Sequence, residues 1–374
     1  MKVVSILGTR PEIIKMSRVM AVLDRYTEHT IVHTGQNYDY ELNQLFFEDL
    51  EVRRPDHFLE AAGKTAAETI GLVIAKSDNL FAELRPDAVL ILGDTNSALA
   101  ALPAKRRRIP VFHMEAGNRC FDDRSPEEIN RRIVDHTSDI NMPYSSISRE
   151  YLLREGLAPD RIIKTGSPMY EVLHHYLPKI RASSILERFG LESGKYFVVS
   201  CHREENVDQP RALERFVALL NSLAAEYELP LVVSTHPRTR KRLNELGALL
   251  SPLVQLREPV GLFDFVHLEM NARATLSDSG TITEESSILG FPALSLREMH
   301  ERPEGMEEGA VMMTGFNATR VREGLRILAD QSDAQLRTVL EYTVPNVSQK
   351  VLRIIVSYVD YVHRNVWHEF TPGS

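Results

Sequence analysis

The 374-residue chain is poor in cysteine and tryptophan, with two cysteines and one tryptophan. Cys120 and Cys201 cannot form a disulfide framework, and neither lies in a CxxC or a Cys/His zinc spacing. We therefore expect two free thiols in a reducing cytosol. No apolar run reaches the roughly 18 residues that a membrane span requires. The N-terminal MKVVSILGTRPE runs into a charged motif, which is atypical of a signal peptide. These absences predict a cytoplasmic protein that does not cross a membrane.

Several motifs of nucleotide-dependent and hydrolytic enzymes are also missing from the sequence. GxGxxG, GxxxxGK[ST], DxD and GxSxG do not occur, and the His-Glu pair at 300–301 does not continue as HExxH. These absences disfavour five classes of enzyme: a dinucleotide dehydrogenase, a P-loop NTPase, a glycosyltransferase with a DxD metal site, an α/β-hydrolase and a zinc protease of the HExxH type.

Basic residues are outnumbered, with 44 Lys+Arg against 52 Asp+Glu and a net charge of −8. Such a chain is a poor candidate for binding nucleic acid, which needs a basic face. The overall charge does not exclude a small anionic ligand, because a diphosphate can be met locally. Arg10, Lys15, Arg302 and helix N-termini are the candidates for that contact.

Short apolar runs alternate with longer amphipathic runs, which predicts a doubly wound α/β fold with parallel strands. At roughly 150 residues per domain, the length favours two domains. Predicted strands form one series at 3–7, 30–33, 88–92, 111–113, 140–142 and 161–164, and another at 196–200, 231–234, 254–256, 274–276, 293–296 and 311–313. Predicted helices include 13–26, 66–84 and 213–227.

The two series predict two Rossmann-like domains, 1–172 and 173–350. Residues 173–194, with Pro178 and a polar stretch, are interpreted as the connection between them. A long final helix is predicted at 348–370, and its part from about 355 to 370 is a candidate to pack back on the first domain.

Ligands of open α/β sheets bind outside the carboxyl ends of the strands, and the first predicted strand is followed by GTRPE at 8–12. Thr9 is a candidate N-cap, with Pro11 in the first helical turn. The positive charge of Arg10 would then lie at the positive end of the helix dipole, which is unfavourable unless an anion binds there. Lys15 follows about one turn later. The alternative is a surface Arg10 paired with Glu12.

Acidic residues directly after buried strands are costly unless they are solvated or paired, which singles out Asp94 and Glu115. The alternative for Asp94 is a helix cap. Farther along, Ser125 and Glu128 fit a capping box with Pro126 at the first helical position. This leaves Glu127 as the candidate catalytic carboxylate of that pair.

The helix that follows Ser125 is expected to bury an apolar stripe, marked by Ile129, Ile133 and Ile140.

In the second series, His202 and His236 each follow a predicted strand and precede an arginine, which favours a functional over a purely structural role. Cys201 beside His202 is a poor nucleophile–base pair, because adjacent residues of an extended chain point apart.

The motif DSGTITEE at 278–285 is the strongest phosphate-site candidate, because small residues let backbone N–H groups at a helix N-terminus approach phosphate oxygens. Ser279 and Gly280 would supply that turn. Glu284 and Glu285 would reach ribose hydroxyls, and Arg302 adds another cation.

Seven motifs together resemble those of the non-hydrolysing UDP-N-acetylglucosamine 2-epimerase family. They are GTRPE, GDT (93–95), EAG (115–117), PEEINR (126–131), HRE (202–204), DSGTITEE and ERPE (301–304). Four longer segments are similar to those of a narrower group of capsule and O-antigen enzymes. They are HTGQNYDYELNQ (33–44), MEAGNRCFD (114–122), PEEINRRIVDHTSDIN (126–141) and the tail SYVDYV. That group epimerises C2 of UDP-2-acetamido-2,6-dideoxy-L-talose and forms UDP-N-acetyl-L-fucosamine.

The resemblance implies a glycosyltransferase-B-like fold with two Rossmann-like domains and a central cleft, a homodimer, and neither metal nor nicotinamide. It implies elimination of UDP with loss of the C2 proton, followed by re-addition after protonation on the opposite face. Implied acid/base residues are Asp94, Glu115 and Glu127. His202 would contact phosphate or shuttle a proton. Lys15 is also counted with the catalytic residues, as a cation for the charge of the departing diphosphate. Implied UDP-sugar ligands are Arg10, Asn130, Arg131, His236, Ser279, Gly280, Glu285 and Arg302.

The sequence departs from several bacterial members of the family at 36–38, where Gln-Asn-Tyr stands in place of Gln-His-Arg. In those relatives the segment helps bind a second, allosteric UDP-N-acetylglucosamine, so Asn37 and Tyr38 put that regulation in doubt. Alternative functions are a metal-independent glycosyltransferase on the same fold, UDP-N-acetylglucosamine as the substrate, a hydrolysing epimerase, and a non-enzymatic nucleotide-sugar sensor.

Overall fold

The computed structural model describes residues 1–35, 47–123, 125–203, 206, 209–235, 237–331 and 338–369. The chain divides into two compact units. Unit 1 comprises Met1–His175 with Thr343–Ser374, and unit 2 comprises Tyr176–Tyr342. The boundary between them falls within the 173–194 segment, and that segment is helical over most of its length.

Unit 1 contains a six-stranded parallel sheet with strand order β3-β2-β1-β4-β5-β6. Its strands are β1 (Lys2–Leu7), β2 (Glu28–His33), β3 (His57–Phe58), β4 (Ala88–Leu92), β5 (Val111–Met114) and β6 (Ile140–Met142). Its helices are α1 (Arg10–Tyr26), α2 (Ala66–Leu84), α3 (Ala101–Arg106), α4 (Pro126–Thr137) and α5 (Ser146–Arg154), with 3₁₀ turns at Asn96–Ala100 and Pro159–Arg161. Helix α6 (Met169–Arg181) spans the unit boundary.

Unit 2 repeats this topology with strand order β12-β11-β10-β7-β8-β9, again parallel. Its strands are β7 (Phe197–Ser200), β8 (Leu231–Ser234), β9 (Val254–Arg257), β10 (Ala274–Ser277), β11 (Ala293–Ser295) and β12 (Met312–Met313). Its helices are α7 (Ile185–Phe189), α8 (Pro210–Tyr227), α9 (Pro237–Glu245), α10 (Leu262–Asn271), α11 (Ile282–Leu289), α12 (Pro303–Glu307) and α13 (Ala318–Asp330), with a 3₁₀ turn at Leu340–Tyr342.

In each unit the strand order reverses between the first and fourth strands, which are neighbours in the sheet. This order is that of dinucleotide-binding folds, and ligands bind at the carboxyl ends of the two strands that flank the reversal. The segments that follow β1 and β4 in unit 1, and β7 and β10 in unit 2, therefore lie at the two switch points.

The apolar runs form strands because helices cover both faces of each sheet. All five residues of β4 are buried, and the pattern of β10 is the same. Helix α2 begins where predicted, and the Thr65 side chain caps it by accepting from the Glu68 N–H at 3.1 Å.

Two details of the predicted strands are wrong. Residues 161–164 form no strand; Ile162 makes only an isolated bridge with Asn141, because Pro159–Arg161 closes into a 3₁₀ turn. Strand β3 was not predicted, because it has only two residues and is too short to show a periodicity.

The final helix α14 (Val347–Tyr361) continues as a π-helical turn at Val362–Val366. It packs on α1 in unit 1, and Glu171 accepts hydrogen bonds from the backbone N–H of Ser348 at 2.9 Å and from its hydroxyl at 2.5 Å. Among the helices that the structure describes, none combines the length and apolar character needed to traverse a bilayer.

Candidate active site

Glu12 joins the two segments at the switch point of unit 1. Its carboxylate accepts hydrogen bonds from the backbone N–H groups of Gly8 and Thr9 at 2.7 Å each, and from the Thr95 hydroxyl at 2.7 Å. Thr9 is the N-cap of α1, as predicted, and Pro11 lies in the first turn. Burial raises the pKa of Glu12 to about 7, against the lowering effect of the hydrogen bonds from Thr95, Gly8 and Thr9.

This buried carboxyl makes folding stability depend on pH. The folded-state pKa of about 7 lies above the ordinary 4.5, so the stabilisation is complete below 4.5 and is lost as pH rises through about 7. Because Glu12→Gln removes the titration, we expect its stability relative to the parent to improve by about 2 kcal/mol between pH 5 and 8. Urea unfolding across that range measures the difference.

Glu68→Gln is the matched control for this prediction, since Glu68 occupies the same third position of a Thr-capped helix but is exposed. Its stability relative to the parent should stay constant over the same range. A pH-independent difference for Glu12→Gln as well would contradict the prediction.

Lys15 and Glu115 form a buried ion pair, with 2.5 Å between Nζ and Oε2. The two residues are 3% and 8% exposed, so the pair is almost fully withdrawn from water. Asn118 donates its side-chain amide to the other carboxylate oxygen of Glu115 at 3.4 Å, and the ring of Tyr144 lies 5.8 Å from the Lys15 ammonium. Two of the predicted site residues therefore meet, and the lysine favours the ionised form of the glutamate.

Asp94 and Arg131 form a second pair, 2.7 Å apart. Asn130 donates to the backbone carbonyl of Asp94 at 2.9 Å and to the Asn96 side chain at 3.2 Å. The guanidinium of Arg131 also contacts Glu128 at 3.1 Å. The structure thus brings Asp94, Asn130 and Arg131 together at the carboxyl end of β4.

The predicted capping box of α4 is wrong. Ser125 is the N-cap, but its hydroxyl donates to Glu127 at 2.7 Å and caps no backbone group. Glu128 turns inward instead and accepts from the backbone N–H of Cys120 at 3.0 Å and from Arg131. Glu127 therefore lies at the first turn of α4, where it accepts from Ser125.

The apolar stripe predicted for α4 is wrong as well. Ile129 and Ile133 are 54% and 39% exposed, whereas Glu128, Arg131 and Asp135 are buried. The charged face is buried because its members pair with one another and with neighbouring segments, and paired charges tolerate burial. Ile140 is buried, but in β6 rather than on this helix.

At the switch point of unit 2, Asp278 holds the segment that follows β7. Its fully buried carboxylate accepts from the backbone N–H groups of His202 at 3.1 Å and Arg203 at 3.0 Å, and from the Asn206 amide at 3.0 Å. The His202 ring lies 3.2 Å from Asp278 and remains 52% exposed. Burial alone would raise the pKa of Asp278, but the charge of His202 and these hydrogen bonds bring it below its usual value.

An open pocket of about 310 Å³ lies at the carboxyl ends of β10–β12. Its lining includes Ser279, Gly280, Arg297, Glu301 and Arg302. Glu301 pairs with Arg297 at 3.0 Å and with Arg203 at 3.2 Å, and Arg302 pairs with the buried Glu284 at 3.2 Å.

Gly280 approaches Glu301 so closely that a Cβ atom would lie 2.6 Å from the carboxylate. The small residue at 280 therefore leaves room for a carboxylate that ties two arginines to this turn, a role that the sequence did not suggest.

Glu285 and Glu269 form a pair of buried acids. Glu269 on α10 is 1% exposed, Glu285 on α11 is 8% exposed, and burial together with the Glu285 charge raises the pKa of Glu269 well above its usual value.

A second pocket in unit 2, of about 230 Å³, lies at the carboxyl ends of β8 and β9. Phe189, Phe265, Val260 and Arg257 contribute to its lining, and the Arg257 guanidinium lies 4.6 Å from the Phe189 ring centre. No motif pointed to this pocket, because its residues come from separate elements and are individually ordinary core side chains.

Arg10 is half-buried at the first position of α1, where the sequence placed it. His236, Asn37 and Tyr38 lie outside the described residues. Among the side chains that are described, no group of three His, Cys, Asp or Glu residues is arranged to hold a metal ion.

A family model described as UDP-N-acetylglucosamine 2-epimerase matches residues 21–356. The chain belongs to this epimerase family. It is similar to the UDP-N-acetylglucosamine 2-epimerase of Rickettsia bellii, whose solved structure is 48% identical with a TM-score of 0.91 and covers 99% of this chain and 100% of that one. The Methanocaldococcus jannaschii UDP-GlcNAc 2-epimerase, solved with UDP-GlcNAc and UDP, is 32% identical with a TM-score of 0.89 and covers 96% and 100%.

A third relative shows that the sugar varies among similar epimerases. The UDP-2,3-diacetamido-2,3-dideoxy-D-glucuronate 2-epimerase of Pseudomonas aeruginosa is 34% identical over 345 residues, which is 90% of this chain and 95% of that one. The predicted family, the isomerase activity on C2 of a UDP-sugar and the α/β fold resembling glycosyltransferase-B epimerases are confirmed. The identity of the sugar is a separate question.

Proposed function

We propose that this epimerase converts UDP-2-acetamido-2,6-dideoxy-L-talose to UDP-N-acetyl-L-fucosamine. The motifs MEAGNRCFD and PEEINRRIVDHTSDIN carry the proposal. The first contains Glu115 and Asn118, and the second supplies Asn130 and Arg131, which contact Asp94. Residues that resemble those of the L-fucosamine-forming group therefore surround the candidate acid/base side chains.

The chemistry requires two bonds to break together. The C2 proton is not acidic by itself, so its removal by a carboxylate must accompany cleavage of the C1–O bond to UDP. The products are UDP and a 2-acetamidoglycal. In the return step, a proton is added to C2 on the opposite face and the diphosphate oxygen re-forms the bond to C1. Proton transfer at both faces needs two acid/base groups or one that moves.

Glu115 and Asp94 are our first assignments for that acid/base pair. Both follow buried strands at the carboxyl edge of unit 1, and each is paired with a cation, Lys15 or Arg131, that favours its ionised form. An ionised carboxylate can accept the C2 proton directly. Glu127 is a third candidate, as its contact with Ser125 leaves the carboxylate at a helix start.

UDP is assigned to unit 2. The turn at Ser279 and Gly280 precedes α11 and borders the 310 Å³ pocket together with Arg302, which suits a diphosphate. Glu285 is assigned to the ribose hydroxyls. The pocket of about 230 Å³ suits the uracil ring, because Phe265 and Phe189 offer aromatic surface.

The same proposal gives the developing diphosphate charge to cationic groups that the sequence singled out. Arg10 and Lys15 are candidates from the sequence, and His202 contacts phosphate or shuttles a proton. His236 remains a proposed substrate ligand from the sequence alone. On the strength of the resemblance, we also propose that the enzyme is a cytoplasmic homodimer that serves surface-polysaccharide synthesis.

Turnover in D₂O, followed by proton NMR, tests the function and the substrate together. UDP-2-acetamido-2,6-dideoxy-L-talose should give the C2 epimer with deuterium at C2, with UDP and the glycal as transients. UDP-N-acetylglucosamine, run as the paired substrate, should react about 100-fold more slowly.

The other outcomes of this experiment are distinct. Faster turnover of UDP-N-acetylglucosamine would overturn the sugar assignment, and full turnover without C2 deuterium would overturn the elimination. Stoichiometric free sugar and UDP would indicate a hydrolysing enzyme, and UDP release that depends on an acceptor would indicate a transferase.

A further inference from the structure

Asp135 lies on α4 behind the Glu115 segment and is fully buried. Its carboxylate accepts from the backbone N–H of Gly117 at 3.1 Å and from the Arg119 guanidinium at 2.7 Å, and it lies 2.9 Å from Nδ1 of His113. These partners come before and after Glu115 in the chain. One carboxylate therefore contacts residues on both sides of the proposed acid/base residue.

His113 extends the contact to the other acidic segment. Its Nε2 lies 2.8 Å from the carbonyl oxygen of Gly93, the residue before Asp94. The carbonyl oxygen of Gly93 only accepts hydrogen bonds, so Nε2 carries the proton of that bond, and Nδ1 lies within ion-pair distance of Asp135. Burial alone would lower the pKa of His113, but Asp135 and the Gly93 carbonyl raise it.

Arg119 completes the cluster around Asp135. It contacts Asp135 at 2.7 Å and Glu155 at 2.6 Å, so its guanidinium pairs with two carboxylates. Buried charges persist in a protein interior when they are paired in this way.

The backbone of Glu115 explains why such a clamp is needed. Its φ of +62° lies in the left-handed region, which is unfavourable for a residue with a side chain. A backbone of this kind persists only where its surroundings hold it. The contact of His113 with Asp135 and the hydrogen bonds from Gly117 and Arg119 to Asp135 provide that restraint.

We propose that Asp135 and His113 are positioning residues for epimerisation, whose ion pair fixes the Glu115 segment and the Gly93–Asp94 turn relative to each other. The proposal rests on the proposed acid/base roles of Glu115 and Asp94. Neither positioning residue is assigned a contact with substrate. Their contribution to the rate comes from orientation.

Asp135→Asn tests the proposal, with Asp139→Asn as its matched control. Asp139 is also buried, pairs with Lys105 and accepts from the backbone N–H of Val111 at 3.1 Å, but it lies at the amino end of β5, away from the acidic segments. We expect both variants to lose thermal stability. Asp135→Asn alone should lower kcat, by about 100-fold, with UDP affinity unchanged.

Two further measurements keep the test decisive. If Asp135→Asn fails to fold, His113→Gln should show the same loss of kcat without loss of UDP affinity. In the wild-type enzyme, ¹⁵N NMR of labelled histidine, with the His113 signals assigned by comparison with His113→Gln, should show a His113 pKa above its usual value. Equal kcat in folded Asp135→Asn and Asp139→Asn, or a His113 pKa below its usual value, would overturn the proposal. Failure of the proposed function would appear separately, as absence of C2 deuterium exchange in the wild type.

Discussion

Glu115→Gln is expected to lower kcat about 1,000-fold while UDP still binds. Positioned acid/base groups contribute typically 100- to 10,000-fold, and the amide retains the size and one acceptor of the carboxylate but cannot take up the C2 proton. The measurements are the turnover of the UDP-sugar and UDP binding by calorimetry. A variant that keeps UDP affinity but loses turnover would also exclude a sensor that merely binds the nucleotide.

The same substitution leaves Lys15 buried without its carboxylate, so a loss of activity could reflect a loss of folding. Removal of one partner of a buried pair destabilises a protein by about 3–5 kcal/mol. Lys15→Met combined with Glu115→Gln removes the unpaired charge, and it should recover much of the melting temperature. Activity should stay low in the double variant. Recovery of activity together with stability would contradict the acid/base role of Glu115.

The sequence was sufficient to place the acidic and basic segments at strand ends. Gly8–Glu12 and Asp94 follow apolar runs that are buried on both faces, and such runs are visible without a structure. Their meeting at one switch point follows from the order of β1 and β4 in the sheet, which no local pattern encodes.

Pairing over long separations was the first feature that sequence reasoning could not supply. Lys15 and Glu115 are 100 positions apart and were assigned to different tasks, phosphate contact and proton transfer. The structure joins them in one buried ion pair, so the ammonium of Lys15 contacts the carboxylate of Glu115. Spacing along the chain carries no information about such a contact.

Helix α4 shows a second limit. Its isoleucines follow a helical period and therefore suggested a buried stripe, but its charged residues follow a similar period on another face. Glu128, Arg131 and Asp135 stand at intervals of three and four and are the buried set. Periodicity alone cannot decide which face turns inward when each buried charge has a partner elsewhere in the fold.

Gly117→Ala is expected to have the largest effect on the stability of the protein. Gly117 has a φ of +78°, and a Cβ atom there would lie 2.4 Å from the backbone carbonyl oxygen of Ser148. Backbone oxygen cannot rotate away as a flexible side chain can, so Gly117→Ala must shift the segment from Glu115 or helix α5. We expect a loss of about 3–5 kcal/mol in the free energy of unfolding, from left-handed strain and overpacking together.

Gly156→Ala separates these two causes. Gly156 lies in the same unit with a φ of +88°, but a Cβ atom there would meet nothing within 4 Å, so only strain of about 1 kcal/mol is expected. Urea unfolding of both variants measures the difference, and kcat adds an independent readout. Because Gly117 donates its N–H to Asp135, movement of the segment should also displace Glu115 and lower kcat, whereas Gly156→Ala should retain full activity. Equal losses of stability in the two variants would show that the approach to Ser148 is not restrictive and would remove the steric reason for glycine in the Glu115 segment.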